Sequence, residues 1–409
     1  MTAPIEPRGS ARAVALYALA MFGAHLSYAP LLTLLLPRRV IAVAPGAAAA
    51  TTSLVVFAGA ITASLAHIAA GRIGDGWRRR HGNRRAPIAL GLVLTVLALV
   101  ALGLGRSAGA LTIGLIAFQA SLNLMFAPLT ALLVDHFAAG AKARVAAVIS
   151  LAMPLAALGT GLAALAFPRD GAIPFFAVAG LVLLTVTPLI AFWPFDPAPV
   201  AAPDHAPPRA KGAGPRGDLA LIGAARLLIQ SGAMFTGSYF YLFLVRQGAR
   251  AGLVPGLPVD PVYGRLVVAS TVAVLIATLP VGHWSDRHRR RRAPMVLTAL
   301  VAALALGLIA GAQGLPVLAG YALFQVALIA YLSLDAACAA EILAHHPRAG
   351  EMLGYLNLAN TLPSVVVPLA VLAATRGADA AMPWTAGFAL VALAAMAAGL
   401  LVTRLRQVG

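Results

Sequence analysis

Twelve stretches of about 20 mostly apolar residues, separated by short polar or basic segments, follow one another along the chain. Each is long enough to cross the ~30 Å hydrocarbon core of a bilayer as a helix rising ~1.5 Å per residue. The first is longer than the ~7–15 apolar residues of a signal peptide, so we expect it to be retained. The predicted spans cover residues 11–36, 50–71, 86–105, 109–135, 144–167, 172–194, 219–245, 262–284, 293–312, 315–343, 352–374 and 382–403.

The composition also indicates a membrane protein. Hydrophobic residues make up 61% of the chain and charged residues 11%, whereas a soluble domain carries roughly 25% charged residues. The net charge of +17 would suit a nucleic-acid-binding protein, but the basic residues cluster between apolar runs, which argues against a nucleic-acid partner. The single cysteine, Cys338, excludes an intramolecular disulfide and a Cys-based metal site, and we expect it to be a small packing residue.

Residues 196–217 break the apolar pattern with six prolines. A segment of this composition cannot bury enough apolar surface to order itself, which predicts a semi-extended linker. Six spans precede it and six follow. The predicted domains are an N-terminal six-helix bundle, residues 1–195, and a C-terminal six-helix bundle, residues 218–409, on either side of the linker.

A basic motif occurs once in each half. The second copy reads GHWSDRHRRRR from residue 282, and the first reads GRIGDGWRRR from residue 71. Both place an aspartate four residues after a glycine, although the first has Gly76 where the second has Arg287. The repeat indicates an internal duplication. An arginine at the bilayer centre would cost ~2.5–3.5 kcal/mol, so both motifs are expected to form loops in water.

The distribution of lysine and arginine predicts the orientation of the chain. With the N-terminus inside, 21 of the 30 residues lie on the cytoplasmic side, eight lie outside, including Arg38 and Arg39 after a first span ending at Pro37, and Arg226 lies within a span. This bias places both termini and the linker in the cytoplasm. We therefore expect a multi-pass protein of the cell (inner) membrane.

The two six-helix halves, the cytoplasmic linker and the Gly-x-x-x-Asp-Arg motif after the second and eighth spans resemble the major facilitator superfamily over essentially the whole chain. The resemblance implies an all-α integral membrane protein whose 12 transmembrane helices form two pseudo-symmetric six-helix bundles. It also implies that the motifs close the cytoplasmic side in the outward-open state. Since one chain of this fold holds a complete path, we expect a monomer.

A second resemblance concerns the junctions between the fourth and fifth and between the tenth and eleventh spans. These junctions are similar to those of bacterial relatives of the sucrose and glycoside cation symporters. The residues that carry this similarity are Asn123, Ala127, Pro128, Ala131, Asp135, Arg144, Tyr331, Asp335, Glu341 and the run LGYLNLANTLP from residue 353.

Asp75 and Asp286 are predicted to act as latches at the cytoplasmic ends of the second and eighth helices. There a carboxylate can meet the N–H groups of a helix N-terminus in the opposite half, near Glu351 for Asp75 and near Lys142 for Asp286. Such a contact stabilises by ~0.3–1 kcal/mol when exposed and by up to ~2 kcal/mol when partly buried. The alternative is that these segments only set topology, which is the reading favoured for the arginine runs.

Two further charged junctions are expected to be helix-end ion pairs that support the same gate. One joins Asp135 to Lys142 and Arg144, and the other joins Glu341 to Arg348. The predicted cytoplasmic gate consists of Gly71, Asp75, Asp135, Arg144, Gly282, Asp286, Arg287 and Glu341.

Arg226 and Asp335 are the charged residues expected to matter most, because a charge inside a span must face a partner or a water-filled cavity. Arg226 lies about seven residues, hence roughly 10 Å, inside the seventh span, and Asp335 lies at a similar depth in the tenth. Equal depth predicts an ion pair. Gln230 and Tyr241 share a helix face with Arg226, and Tyr331 shares one with Asp335, as a small polar solute would require. A static pair that pins two helices together is the alternative.

His25, Gln119 and Asn123 are candidates for the other wall of a central site. His25 follows Arg12 by 13 residues, which places it near the bilayer midplane, and Asn123 has a similar depth. Gln119 and Asn123 are four residues apart and share a helix face. An intramembrane histidine is also common as a hydrogen-bonded packing residue, and His67 is assigned to packing.

The eleventh span carries Asn357 and Asn360, followed by Pro363 and Pro368, and Pro154 occupies a comparable place in the fifth span. Proline within a span frees a backbone carbonyl and permits bending. The two asparagines, which are polar residues within a span, are also assigned to the predicted solute site.

These observations predict a secondary transporter working by alternating access and not an enzyme. No G-x-x-x-x-G-K-[ST] phosphate loop occurs, and histidines and carboxylates do not gather at metal-ligand spacing, so no metal or cofactor is expected. The expected solute is small and polar, a sugar or glycoside being one candidate, with proton coupling through Asp335, Arg226 and His25. The alternatives are an exporter of amphipathic compounds and a non-transporting receptor or assembly factor of the same fold.

Overall fold

A computed structural model describes residues 10–137, 139–169, 171–193, 216–247, 258–288, 291–343, 356–375 and 382–405. All the regular secondary structure within these ranges is helical. The described residues include twelve helices long and apolar enough to cross a membrane. The predicted all-helical class with twelve spans is therefore confirmed.

We number these helices in chain order. They are α1 (Ala11–Val43), α2 (Ala48–His81), α3 (Arg85–Leu104), α4 (Ala108–His136), α5 (Ala139–Ser150 continued by Ala152–Ala166), α6 (Ile173–Phe192), α7 (Arg216–Gln247), α8 (Val259–His288), α9 (Arg292–Gly311), α10 (Leu315–Leu343), α11 (Leu356–Thr375) and α12 (Trp384–Thr403).

The first helix does not end at Pro37, as the sequence had suggested, but continues to Val43 through a π-helical turn at Leu31–Leu35. The two arginines near its C-terminal end, Arg38 and Arg39, are satisfied by backbone carbonyls at the ends of other helices. Arg38 is buried and donates to the carbonyl oxygens of Ala164 and Phe167, at 3.4 and 3.5 Å, and Arg39 donates to that of Gly105 at 2.8 Å. A helix C-terminus favours a cation, so these contacts allow the helix to extend past its basic residues.

The basic motifs also differ from the predicted loops, because the first lies on a helix and so does the described beginning of the second. α2 continues through the first motif to His81, so its 34 residues span roughly 51 Å. Gly74 lets this part of α2 pack closely against α4, since a methyl group at that position would come 3.0 Å from the Pro128 ring. In the second motif Gly282 and the residues up to His288 are helical in α8.

Two spans contain a one-residue break. α5 is interrupted at Leu151, three residues before Pro154, and α11 is interrupted at Leu362, directly before Pro363. Proline lacks the N–H that would bond to the carbonyl four residues earlier, and each break coincides with that loss.

The chain divides into two compact units. The first contains Met1–Pro45 and Leu54–Asp204, and the second contains Gly46–Ser53 and His205–Gly409. The beginning of α2 thus belongs to the second unit, where the Ser53 hydroxyl lies 2.8 Å from that of Tyr239. The predicted domain boundaries remain a prediction. Residues 196–215 of the expected linker lie outside the described residues, and α7 begins at Arg216.

Small residues set the spacing of α3 and α4 in the first unit. Gly91 faces the backbone of Met125, and Gly114 faces the Leu102 side chain. The Thr95 hydroxyl donates to that of Ser121 at 3.3 Å between the two helices. Between membrane helices, association relies on such close backbone approach and on interhelical hydrogen bonds.

Gly91→Ala is expected to destabilise the protein by about 1–3 kcal/mol, as overpacking does, because the new methyl group would lie 2.4 Å from the backbone nitrogen of Met125. The measurement is the thermal unfolding midpoint of the purified protein in detergent. Gly109→Ala is the matched control, since a methyl group there meets no atom within 4 Å. Equal midpoints for the two variants would contradict the close approach of α3 and α4.

Candidate functional site

The second unit contains a buried ion pair between α7 and α10. The Nε of Arg226 donates to Oδ2 of Asp335 at 2.6 Å, with side-chain exposures of 11% and 2%. Nη1 of Arg226 also donates to the carbonyl oxygen of Leu356 on α11, at 3.4 Å. The structure thus brings together the two charged residues that depth alone had matched, and it adds a third helix to the contact.

This pair leaves polar atoms unsatisfied. Oδ1 of Asp335 and the hydroxyl of Tyr331, one turn earlier on α10, are buried and have no hydrogen-bond partner among the described residues. A buried polar atom left unpaired costs about 1–3 kcal/mol, and more when it is charged. A proton on Asp335, or a solute group that bonds to either oxygen, would remove this penalty.

The amide side chains predicted for the same site lie on two of the helices that meet at the pair, Gln230 on α7 and Asn357 and Asn360 on α11. Nε2 of Gln230, one turn after Arg226, donates to Oδ1 of Asn360 at 3.3 Å. Asn357 and Asn360 are both exposed, and they lie within the seven residues before Pro363. Gln230 and Asn360 therefore form a second contact between α7 and α11.

Tyr241 does not belong to this group, contrary to the prediction. Its hydroxyl donates to Oδ1 of Asp260, and its ring packs edge-on against Tyr263 with centroids 5.2 Å apart. Fifteen residues separate it from Arg226, which is roughly 22 Å along the helix. Two residues on one face of a helix can therefore lie far apart along its axis, because each intervening residue adds ~1.5 Å of rise.

His25 in the first unit is half-buried among aromatic rings. Its ring centroid is 5.5 Å from that of Phe126 and 5.6 Å from that of Tyr28. Nδ1 lies 2.7 Å from the carbonyl oxygen of Met21. Because a carbonyl oxygen only accepts, Nδ1 carries the hydrogen, and Nε2 is the nitrogen that can gain or lose a proton.

Asn123 is the centre of a short polar chain in the same unit. Its Nδ2 donates to the carbonyl oxygen of Gln119 at 2.8 Å, and its Oδ1 lies 3.0 Å from Nδ1 of His67. The Gln119 side chain lies beside Gly59 on α2. His67, which was assigned to packing, is hydrogen-bonded to this chain. A histidine inside an apolar span needs a polar partner, and that rule could have identified it.

A charge network at the end of α2 replaces the expected pairing of Asp135. Oδ1 and Oδ2 of Asp135 accept from Arg78 and Arg84, each at 2.8 Å, and Arg84 also pairs with Asp75 at 2.8 Å. Lys142 and Arg144 are not among the partners of Asp135 in the described part of the chain. Arg84, which directly precedes α3 and was not predicted, is therefore the centre of the network.

Arg84 and Asp135 are nearly inaccessible, with side-chain exposures of 6% and 8%. Burial alone would lower the pKa of Arg84. The hydrogen bonds and charges of Asp135 and then of Asp75 outweigh burial and raise this pKa above its ordinary value. The guanidinium thus stays charged and holds both carboxylates.

Of the remaining predicted gate residues, Gly71 and Arg144 can be placed, and neither joins this network. A methyl group added at Gly71 in α2 would meet no atom within 4 Å, and Arg144 is exposed on α5. The side chains of Gly282, Asp286, Arg287 and Glu341 fall outside the described residues, so their role stays a prediction.

Comparisons with known proteins identify the fold. No protein-family model matches the chain, and no curated protein matches it. Solved structures do match, among them a bacterial homolog of the human lysosomal transporter Spinster, with TM-score 0.70, 13% identity, and 98% of this chain and 95% of that one covered. The chain has the major facilitator fold.

Two further structures with the major facilitator fold are similar to this chain. A POT family transporter in complex with a thioalcohol-conjugated peptide gives TM-score 0.73 at 11% identity, covering 98% of this chain and 97% of that one. The nucleoside transporter NupG gives TM-score 0.72 at 11% identity, covering 96% and 99%. At these identities the comparisons show the fold alone, and they leave the resemblance to sucrose and glycoside symporters untested.

Arg84→Gln is expected to destabilise the protein by roughly 3–5 kcal/mol, because it leaves buried Asp135 with one partner in place of two. Thermal unfolding in detergent measures the effect. Arg84→Gln/Asp135→Asn should recover part of the loss, since the carboxylate is then neutral. Arg79→Gln, at an exposed position on α2, is the control. A loss no larger for Arg84→Gln than for Arg79→Gln would contradict the central position of Arg84.

Proposed function

We propose that the protein is a secondary active transporter that moves a small polar solute across the cytoplasmic membrane by alternating access, driven by protons. The observation that carries this proposal is the buried Arg226–Asp335 pair inside a chain with the major facilitator fold. Ionisable residues within membrane spans are rare, and they mark solute pathways and proton relays. The transporters of similar structure support the general activity.

The pair supplies a mechanism for coupling. With Asp335 ionised, the guanidinium of Arg226 is held by the carboxylate at 2.6 Å. Protonation at the unpaired Oδ1 makes Asp335 neutral and weakens this attraction, so Arg226 becomes available to a hydrogen-bond acceptor on the solute. Release of the solute returns Arg226 to Asp335 and favours loss of the proton. Binding of the proton thus raises the affinity for the solute, and binding of the solute raises the affinity for the proton.

His25 is the proposed proton group of the first unit. Its Nδ1–H is fixed by the Met21 carbonyl, which leaves Nε2 to take up or release a proton. Asn123 and Gln119 would supply hydrogen bonds to the solute from α4. We include His67 with them, because it lies within hydrogen-bond distance of Asn123.

The proposed solute is a sugar, a glycoside or another compound rich in hydroxyl groups. Amide side chains both donate and accept, and Gln230, Asn357 and Asn360 provide three of them on α7 and α11, the helices that contact each other at Arg226 and Leu356. The Tyr331 hydroxyl adds a donor. The resemblance to sucrose and glycoside symporters supports this class.

The driving force is sufficient for accumulation. Moving one charge through a potential of ~100 mV releases about 2.3 kcal/mol, which corresponds to roughly fiftyfold accumulation at one proton per solute. The excess of lysine and arginine on one side supports cytoplasmic termini. We propose that a single chain in the inner membrane is the working unit.

Asp335→Asn is expected to abolish solute uptake driven by an inward proton gradient in proteoliposomes while preserving exchange of labelled for unlabelled solute. The amide keeps the shape of the carboxyl group but cannot take up a proton. Uptake should be screened over sugars, glycosides, nucleosides and organic acids. The control is Ser333→Ala, two residues away on α10, where the exposed hydroxyl donates to the Ile329 carbonyl. Unchanged pH-driven uptake by Asp335→Asn would overturn the coupling role.

A second variant separates a transport role from a purely structural one. Arg226→Met/Asp335→Leu replaces the pair with apolar side chains of similar volume, a change that is often neutral or stabilising by about 1–4 kcal/mol for buried ion pairs. We expect a retained or higher thermal midpoint together with loss of both uptake and exchange. Normal transport by this variant would show that the pair only holds α7 and α10 together.

A further inference from the structure

The cytoplasmic part of α2 carries far more positive charge than its ion-pair network uses. Residues 71–85 contain six arginines and one carboxylate. Arg78 and Arg84 are engaged by Asp135 and Asp75. Arg79 and Arg80 are exposed on α2 and have no ion-pair partner among the described residues.

The exposed face beside these arginines is apolar. Ile73 is 52% exposed and Trp77 is 36% exposed, and the Trp77 ring stacks on His81 with centroids 3.9 Å apart. Ile73, Trp77 and Arg80 follow one another at helical spacings of four and three, so they share a face. Tryptophan beside arginine at the end of a span is the pattern of the interface between membrane and water.

The position of this face along α2 agrees with that pattern. A span needs ~20 residues to cross the hydrocarbon core, whereas α2 has 34. Its last turns therefore lie at the level of the lipid headgroups. An adjoining face of the same helix is anchored in the protein, because Gly74 lies against Pro128 and Arg78 binds Asp135.

We propose that Ile73, Trp77, Arg79 and Arg80 form a binding surface for the headgroup of an anionic phospholipid of the cytoplasmic leaflet. The guanidinium groups bind the lipid phosphate, and Ile73 and Trp77 contact the glycerol and upper acyl region. Helix α2 is held through Arg78, which shares Asp135 with Arg84, so the surface presents these groups in a fixed arrangement. The partner is a membrane lipid, because the same helix carries the surface and crosses the bilayer.

The test uses the full-length protein in vesicles and measures quenching of tryptophan fluorescence by brominated lipids. The chain has four tryptophans, so the Trp77 contribution is the difference from Trp77→Phe. Brominated phosphatidylglycerol and brominated phosphatidylcholine are compared at equal mole fraction in a phosphatidylcholine background. We expect phosphatidylglycerol to bind near Trp77 about tenfold more strongly than phosphatidylcholine, since each arginine adds to the attraction of an anionic headgroup.

In the double variant Arg79→Gln/Arg80→Gln, the ratio of phosphatidylglycerol binding to phosphatidylcholine binding should fall close to one. The matched control, Arg106→Gln/Arg265→Gln, removes two exposed arginines that the sequence places on the opposite side of the membrane and should leave the ratio unchanged. Equal quenching by the two lipids in the unmodified protein would overturn the proposal, as would an equal effect of the control pair. Loss of the preference when phosphate replaces chloride at equal ionic strength would also overturn it, because the surface would then be a general anion site.

Discussion

Hydrocarbon offers no hydrogen-bond partner to a peptide group, and the rest of the structure depends on this constraint. Each backbone N–H and C=O within a span must be satisfied by the span itself, which only a helix achieves for a segment without neighbouring strands. The same constraint applies to side chains. Serine and threonine hydroxyls within the spans bond to the carbonyl three or four residues earlier, as Ser53, Thr62 and Thr112 do.

Charged groups within and beside the spans meet the constraint in three ways. Arg38 and Arg39 use carbonyl oxygens at the C-terminal ends of helices. Arg84 uses two carboxylates and forms a closed network. Arg226 and Asp335 use each other, yet one carboxylate oxygen stays unpaired among the described residues. The first two arrangements are complete and suit a structural role, whereas the third is incomplete and suits a site whose protonation or ligand changes.

The sequence was sufficient to predict features that depend only on position along a single helix. Hydrophobic length gave twelve spans, and equal depth was enough to pair Arg226 with Asp335. Features that depend on packing between helices were not accessible. The partners of Asp135 are Arg78 and Arg84, which are 57 and 51 residues away in the chain. That Asp135 pairs with them and not with nearby Arg144 depends on how α2, α3 and α4 pack. Likewise, the end of α1 could not be placed at Val43 without knowing that carbonyl oxygens of other helices accept from Arg38 and Arg39.

The interruptions in α5 and α11 have a mechanical consequence. At each site the carbonyl of Ser150 or Ala359 has no amide four residues on, since Pro154 and Pro363 occupy those positions. An ordinary helix resists curvature because one side of its hydrogen-bond ladder must stretch. In α5 and α11 one backbone hydrogen bond is already missing, so each helix can change curvature at that point without breaking another. The two helices are therefore not uniformly stiff. The more flexible point of α5 lies close to Pro154, and that of α11 lies close to Asn360.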